Sequence, residues 1–198
     1  MGEVNILLPA LTPHQRPDSM IRLGFADVAN MNAQEQHAQH AQHAREQNAP
    51  LTAQQIAERC AALMWADDAA AQGLGIELVE VGPGTARVAM TVRPDMVNGH
   101  GFCHGGFIFT VADCAFSYAC NSTNQRTVAA GADISFLAPA RLGDRLHGLG
   151  RVRQQGGRNG IYDIEVSDQS GRTIALFRGR SARISGHFFD DPSTGNPR

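Results

Sequence analysis

The chain has 198 residues, 42% of them hydrophobic, enough for one domain of ordinary size with its own core and an appendage. A formal charge of −2 offers no positive excess for nucleic acid or an anionic membrane surface. All 17 basic residues are arginine, which excludes Schiff-base lysine catalysis and the lysine of a phosphate-binding P-loop.

Residues 1–50 differ in character from the rest of the chain. Met1–Pro9 carries a short apolar patch without the charged start and long apolar run of a secretory leader. Asn32–Asn48 is low-complexity and rich in Gln, Ala and His. His37, His40 and His43 stand three apart and spread over more than one helical face. No cysteine or carboxylate cluster completes a metal site there, so no metal is expected. The expectation is a solvated extension, disordered or partly helical, that takes no part in catalysis. Cys60, Cys103, Cys114 and Cys120 form no CxxC pair, and reduced thiols in a cytoplasmic protein are expected.

From Thr52 the pattern sharpens. Thr52 and Gln55 have capping-box spacing, and Ile56, Cys60, Leu63 and Met64 recur at helical intervals, predicting a helix to about Ala71 that stops at Gly73. Gly75–Val81 and Ala86–Val92 alternate as strands about the turn Gly82–Gly84. Four further strands are predicted at Val128–Phe136, Arg145–Gln154, Ile161–Ser167 and Thr173–Ile184, in the order of an antiparallel meander. Ser185–Arg198 is expected to fray, with a flexible tail over 187–198.

Between the second and third strands lies Asn98–Asn121, NGHGFCHGGFIFTVADCAFSYACN. Phe107–Cys120 is apolar on nearly every helical face, which predicts a helix buried on all sides. It is too short for a membrane span of about 20 residues. One carboxylate, Asp113, sits in its middle, and burying a charge costs several kcal/mol unless it is paired or its pKa moves. Gly105 and Gly106 leave bare backbone at the helix start, where the first amides lack internal partners and carry the positive end of the dipole. Bare amides to hold an oxyanion and a desolvated carboxylate to activate water together suit acyl transfer. A sheet of this size buries such a helix by curling around it, an α+β arrangement.

The run NGHGFCHGG, with Asp113 beyond it, resembles the signature of the hotdog-fold acyl-CoA thioesterases, within the phenylacetate-degradation subgroup. ACNS (119–122), DISFLAPARLGD (133–144), YDIEV (162–166) and ALFRGRS (175–181) are similar to the same subgroup. The resemblance spans about Gln54–Gly186, so a thioesterase domain over 51–186 is expected. It implies an antiparallel sheet of five to six strands wrapped around one long central helix. It implies hydrolysis of aryl-acetyl-CoA esters by a homotetramer built as a dimer of dimers. No cofactor is implied, coenzyme A being part of the substrate. The catalytic positions carried over are Asp113, acting on water or on the thioester carbon, Gly105, whose amide polarises the carbonyl, and Asn98 and His104, which orient substrate or water.

Gly106, Ser117, Arg178 and Arg180 are further candidates for substrate binding, the arginines through the phosphates of CoA. Bland readings stand beside these. Asn98 can make an Asx-turn with Gly99, His104 can be a satisfied histidine, and arginine is ordinarily a surface residue. Asp133 and Ser135 share a strand face that either lines the pocket or, as the default, is solvated. Phe107, Phe109, Phe116 and Tyr118 are more often core than pocket. A Cys103–His104 dyad is disfavoured because adjacent extended residues point to opposite sides. Two rival functions use the same scaffold: a non-catalytic acyl-CoA binder and a hydratase.

One inference is independent of the resemblance. Gly105 and Asp113 are eight residues apart, about 12 Å along a helix axis at ~1.5 Å per residue. One carbon cannot lie within about 3–3.5 Å of both on a single helix. If both act on one carbonyl they come from different chains, which predicts a two-fold dimer with central helices side by side and antiparallel.

Overall fold

The computed structural model describes residues 50–190. The expectations for the amino-terminal extension, the His37/His40/His43 tract included, and for residues 191–198 lie outside the described residues. Helix α1 spans Ala53–Asp67 and α2 Ala69–Gly73; the strands are β1 Glu77–Gly82, β2 Thr85–Thr91, β3 Thr127–Phe136, β4 Arg145–Gly156, β5 Asn159–Ser167 and β6 Thr173–Arg183. The central helix α3 spans Gly105–Cys120, between β2 and β3.

The capping box forms as spaced: Gln55 N–H donates to Thr52 Oγ1 at 3.2 Å, and Thr52 N–H to Gln55 Oε1 at 2.8 Å. The single helix expected to reach Ala71 is instead two. Asp68 leaves helical geometry with ψ 66°, accepts the Ala71 N–H at 3.0 Å, and takes the Tyr118 hydroxyl at 3.0 Å on its other oxygen. An aspartate that caps one helix and accepts a buried phenol does better outside the helical hydrogen-bond pattern than within it.

The six strands form one antiparallel sheet in the order β1-β2-β4-β5-β6-β3. Only β4-β5-β6 make the expected meander. β3 pairs with β6 at the far edge, from Thr127↔Arg183 to Phe136↔Ala175, and β2 takes the place beside β4. Reaching β4 from β3 means crossing three strand spacings, about 14 Å, which residues 137–144 span with ease where a tight turn could not.

The sheet holds α3 through β2, β4, β5 and β6, and glycines set how close the helix comes. A Cβ on Gly148 would lie 2.9 Å from the Val111 carbonyl oxygen, one on Gly150 2.9 Å from that of Ala115, and one on Gly179 2.6 Å from the Phe116 ring. Ile108, Val111, Ala112, Ala115, Phe116, Tyr118 and Ala119 are buried on that side, with Phe116 packed edge-on against Tyr162 at 5.6 Å. The expectation of a helix buried on all sides does not hold for the single chain. One sheet covers one side, and the other side of α3 stays partly open.

The described part of the carboxy-terminal stretch is tied down. Asn124, buried and at φ 56°, accepts the N–H groups of Phe188 and Phe189 at 3.0 and 3.2 Å and donates to the Phe189 carbonyl at 2.9 Å. Arg59 lies over the Phe189 ring at 4.2 Å. Asn124→Ala removes three hydrogen bonds and places a Cβ residue without a compensating side chain in a left-handed conformation, which asparagine tolerates best. We expect a loss of about 1–3 kcal/mol in denaturant unfolding, and no change would mean that the clamp carries no load.

Candidate active site

The site is built from the loop before α3 and from the open side of that helix. A Val97–Cys103 bridge closes the loop, and inside it the Asn98 carboxamide oxygen accepts the N–H groups of His100 at 2.9 Å and Phe102 at 3.3 Å. The Asn98 side chain therefore folds the loop, the Asx geometry its sequence allows. Cys103 N–H donates to the Ala140 carbonyl and His104 N–H to that of Met96, which anchor the entry to α3 on two sides.

His104 is the N-cap. Its Nδ1 accepts the Gly106 N–H at 3.0 Å, which fixes the tautomer with the proton on Nε2 and leaves that N–H exposed. The cap makes the two glycines unequal. The Gly106 amide is consumed, whereas no acceptor among the described residues takes the Gly105 N–H. A lone, unsatisfied amide at the positive end of a 16-residue helix can stabilise an anion.

Further along, Gly106, Thr110, Asp113 and Ser117 form a stripe at i, i+4, i+7 and i+11 on the open side of α3, all at least partly exposed. No hydrogen bond or ion pair among the described residues reaches the Asp113 carboxylate, and burial pushes its pKa up from the ordinary value. The Thr110 hydroxyl donates to the Gly106 carbonyl at 2.9 Å, one turn before Asp113. Ser117 stands one turn after it. Thr110 did not stand out in the sequence, although its spacing from Gly106 and Asp113 is the signal that finds it.

Asn98, His104, Gly105 and Gly106 thus gather at one end of α3, and Asp113 and Ser117 follow on the same helix. Arg178 and Arg180 lie elsewhere, on the sheet face turned away from α3. Arg178 forks onto Asp163 at 2.7 and 2.9 Å, and Arg180 pairs with Asp133. A groove of about 600 Å³ occupies that outer face, lined by Asp133, Ser135, Arg151, Asp163 and Arg178 among others. Acid and base alternate across it, and it does not reach Asp113. Phe109 and Phe116 both pack on the core residue Phe177, at 5.2 and 5.9 Å.

Cys103 is buried, and burial, with Asp144 adding to it, raises its thiol to about 11; a thiol so protonated is a poor nucleophile. No cluster of metal-ligating side chains occurs among the described residues. No helix among them is long and apolar enough to cross a membrane.

Residues 100–175 match the thioesterase superfamily. The acyl-coenzyme A thioesterase PaaI of Escherichia coli K12 is 49% identical over 123 residues, 62% of this chain and 88% of that protein. The chain belongs to the thioesterase superfamily. The E. coli PaaI structure, from the phenylacetic acid degradation operon, matches with a TM-score of 0.68 at 46% identity, over 69% of this chain and 99% of that one. A variant of the phenylacetic acid degradation protein PaaI from Thermus thermophilus matches with a TM-score of 0.57 at 32% identity, over 59% of this chain and all (100%) of that one. A Streptococcus mutans protein solved with acetyl CoA matches with 0.55 at 27%, over 57% and 90% of the two chains. The sheet wrapped on α3 is the hotdog fold, and this thioesterase carries on that fold's central helix a Gly105 amide and an Asp113 carboxylate that no partner among the described residues takes.

Proposed function

We propose that this thioesterase hydrolyses aryl-acetyl-CoA esters, such as phenylacetyl-CoA or hydroxyphenylacetyl-CoA, to the free acid and coenzyme A in phenylacetate degradation. The observation that carries the chemistry is the pairing of a free Gly105 amide with a raised, unpartnered Asp113 on one rigid helix. The named relatives, the E. coli and T. thermophilus PaaI proteins, support the substrate class.

Each site takes Asp113 from one protomer and Gly105 of the partner subunit, in a dimer that lays the open stripes of two α3 helices together; pairs of such dimers make a tetramer. The thioester oxygen accepts the Gly105 N–H, which holds the negative charge that develops there. As general base, Asp113 takes a proton from water while the water oxygen bonds to the carbonyl carbon. The C–S bond then breaks, and the proton passes from Asp113 to the departing thiolate. As nucleophile, the carboxylate itself bonds to the carbon and expels the thiolate, and water cleaves the resulting anhydride. Asn98 and His104 orient the substrate at the amide end, with Gly106 and Ser117 along the stripe. No cofactor takes part, and the reaction runs in the cytoplasm on residues 51–186. Arg178 and Arg180 reach CoA phosphates only by exchanging their present carboxylate partners for them.

Thiol release from phenylacetyl-CoA tests the reading directly. Binding of the ester without thiol release would make the chain a binder instead. A single turnover in labelled water separates the two roles of Asp113, since oxygen arriving first from the protein marks an acyl-aspartyl intermediate. Deleting residues 1–48 should leave turnover within about two-fold of native, the scale of change expected from removing chain remote from the site; a large loss would give the extension a part in the reaction.

A further inference from the structure

The free Gly105 amide has an aromatic neighbour that plays no part in the core. Phe136 ends the edge strand β3, paired with Ala175, and its ring turns toward the start of α3. A Cβ built on Gly105 would lie 3.1 Å from Phe136 Cζ and 3.4 and 3.6 Å from the two Cε atoms, so the ring tip stands over the place a side chain at 105 would take. A side chain at 105 would meet that ring and have to shift it by a few tenths of an ångström.

Phe136 is 53% exposed, and Leu137 beside it is 57% exposed. Leaving such side chains half in water forgoes part of the gain of burying them. Phe107 meets His104 edge-on, and Phe109 and Phe116 both pack on Phe177. Phe102 lies under Arg141, Phe188 under Arg126 and Phe189 under Arg59. Phe136 has no ring or cation contact of this kind among the described residues.

We propose that Phe136 is the aromatic wall of the acyl slot and a specificity-determining residue for aryl over linear acyl groups, a reading that rests on the thioesterase chemistry assigned above. A thioester whose carbonyl oxygen accepts the Gly105 N–H has its acyl group starting within a few ångströms of the Phe136 ring. A phenyl group one methylene from that carbonyl meets the ring edge-to-face or offset, the favoured geometry for two aromatic rings. A flexible alkyl chain gains less from the same surface. The wall and the amide come from the same protomer, so recognition of the acyl group lies with the chain that supplies Gly105 and proton transfer with the partner that supplies Asp113.

The test compares native protein with Phe136→Leu and Phe136→Tyr on two probes, phenylacetyl-CoA and hexanoyl-CoA, with assembly followed by sedimentation. The expected result is a fall in kcat/KM of roughly 10-fold for phenylacetyl-CoA in Phe136→Leu, carried by KM, against less than about three-fold for hexanoyl-CoA, with Phe136→Tyr close to native. An unchanged ratio between the two esters overturns the proposal. So does an equal loss on both, or loss of self-association in Phe136→Leu, each of which would make the ring a packing element of the subunit contact. Failure of the thioesterase reading is distinct, since native protein would then release no thiol from either ester.

Discussion

Asp113→Asn is expected to lower turnover of phenylacetyl-CoA roughly 100-fold or more while raising Tm at neutral pH. The amide has the shape of the carboxylate but neither accepts a proton from water nor attacks a carbonyl. The gain in stability follows from the burial that pushes the Asp113 pKa up. In an acid whose folded-state pKa is raised, ionisation opposes folding. That opposition is absent below the unfolded value of about 4 and complete once the pH exceeds the folded value. The variant's advantage in Tm should therefore appear at neutral pH and vanish as the pH falls to about 4. The same shift moves the acid limb of the native pH–rate profile up from the ordinary aspartate value. Retention of most turnover by the variant would make Asp113 structural, and a lower Tm at pH 7 would mean the carboxylate has a stabilising partner in the assembled protein.

The second large effect should come from a residue that touches no substrate. Gly150→Ala puts a methyl group 2.9 Å from the Ala115 carbonyl oxygen and 3.2 Å from its carbonyl carbon. Both atoms are backbone of α3, two residues from Asp113, and a helix cannot swing aside as a side chain does. Overpacking of this kind costs about 1–3 kcal/mol. For a domain of this size that is a fall in Tm of roughly 3–15 °C. Under the proposed dimer, lifting α3 by a few tenths of an ångström would also shift Asp113 against the amide opposite it, and a loss of turnover of about 10-fold is expected. Gly73→Ala, where nothing lies within 4 Å of the added Cβ, is the control and should stay within about 0.5 kcal/mol of native. Equal behaviour of the two variants would show that the helix has slack against the sheet.

Local features were the legible ones. The glycine pair, the apolar run and the lone acid of Asn98–Ser122 lie within one segment, and the Thr52–Gln55 box needs only four residues, so spacing alone exposes them. Strand limits were also readable, because alternation is a property of each strand: the last one was expected over Thr173–Ile184 and runs over Thr173–Arg183. What depends on distant partners was not. The break at Asp68 is fixed by Tyr118, 50 positions away, and the placement of β3 beside β6 by hydrogen bonds between segments with no shared sequence signal. The acids facing Arg178 and Arg180 sit on neighbouring strands at registers that only the assembled sheet defines. Within the candidate site, the resemblance singled out Gly105 over Gly106 but supplied no physical reason for the choice. Which of the two amides stays free is decided by the rotamer of His104, a choice made by packing and invisible in the letters.

The rigid spacing between the amide and the acid has a consequence for populations of molecules. Under the proposed arrangement a solitary protomer owns two incomplete halves of a reaction centre and no whole one, so specific activity should collapse on dilution below the dissociation constant of the pair. A hybrid of one intact and one acid-less chain would keep a single working centre, because the intact acid still finds an intact amide opposite it. Inheritance of a damaged copy would then dilute the enzyme rather than poison it.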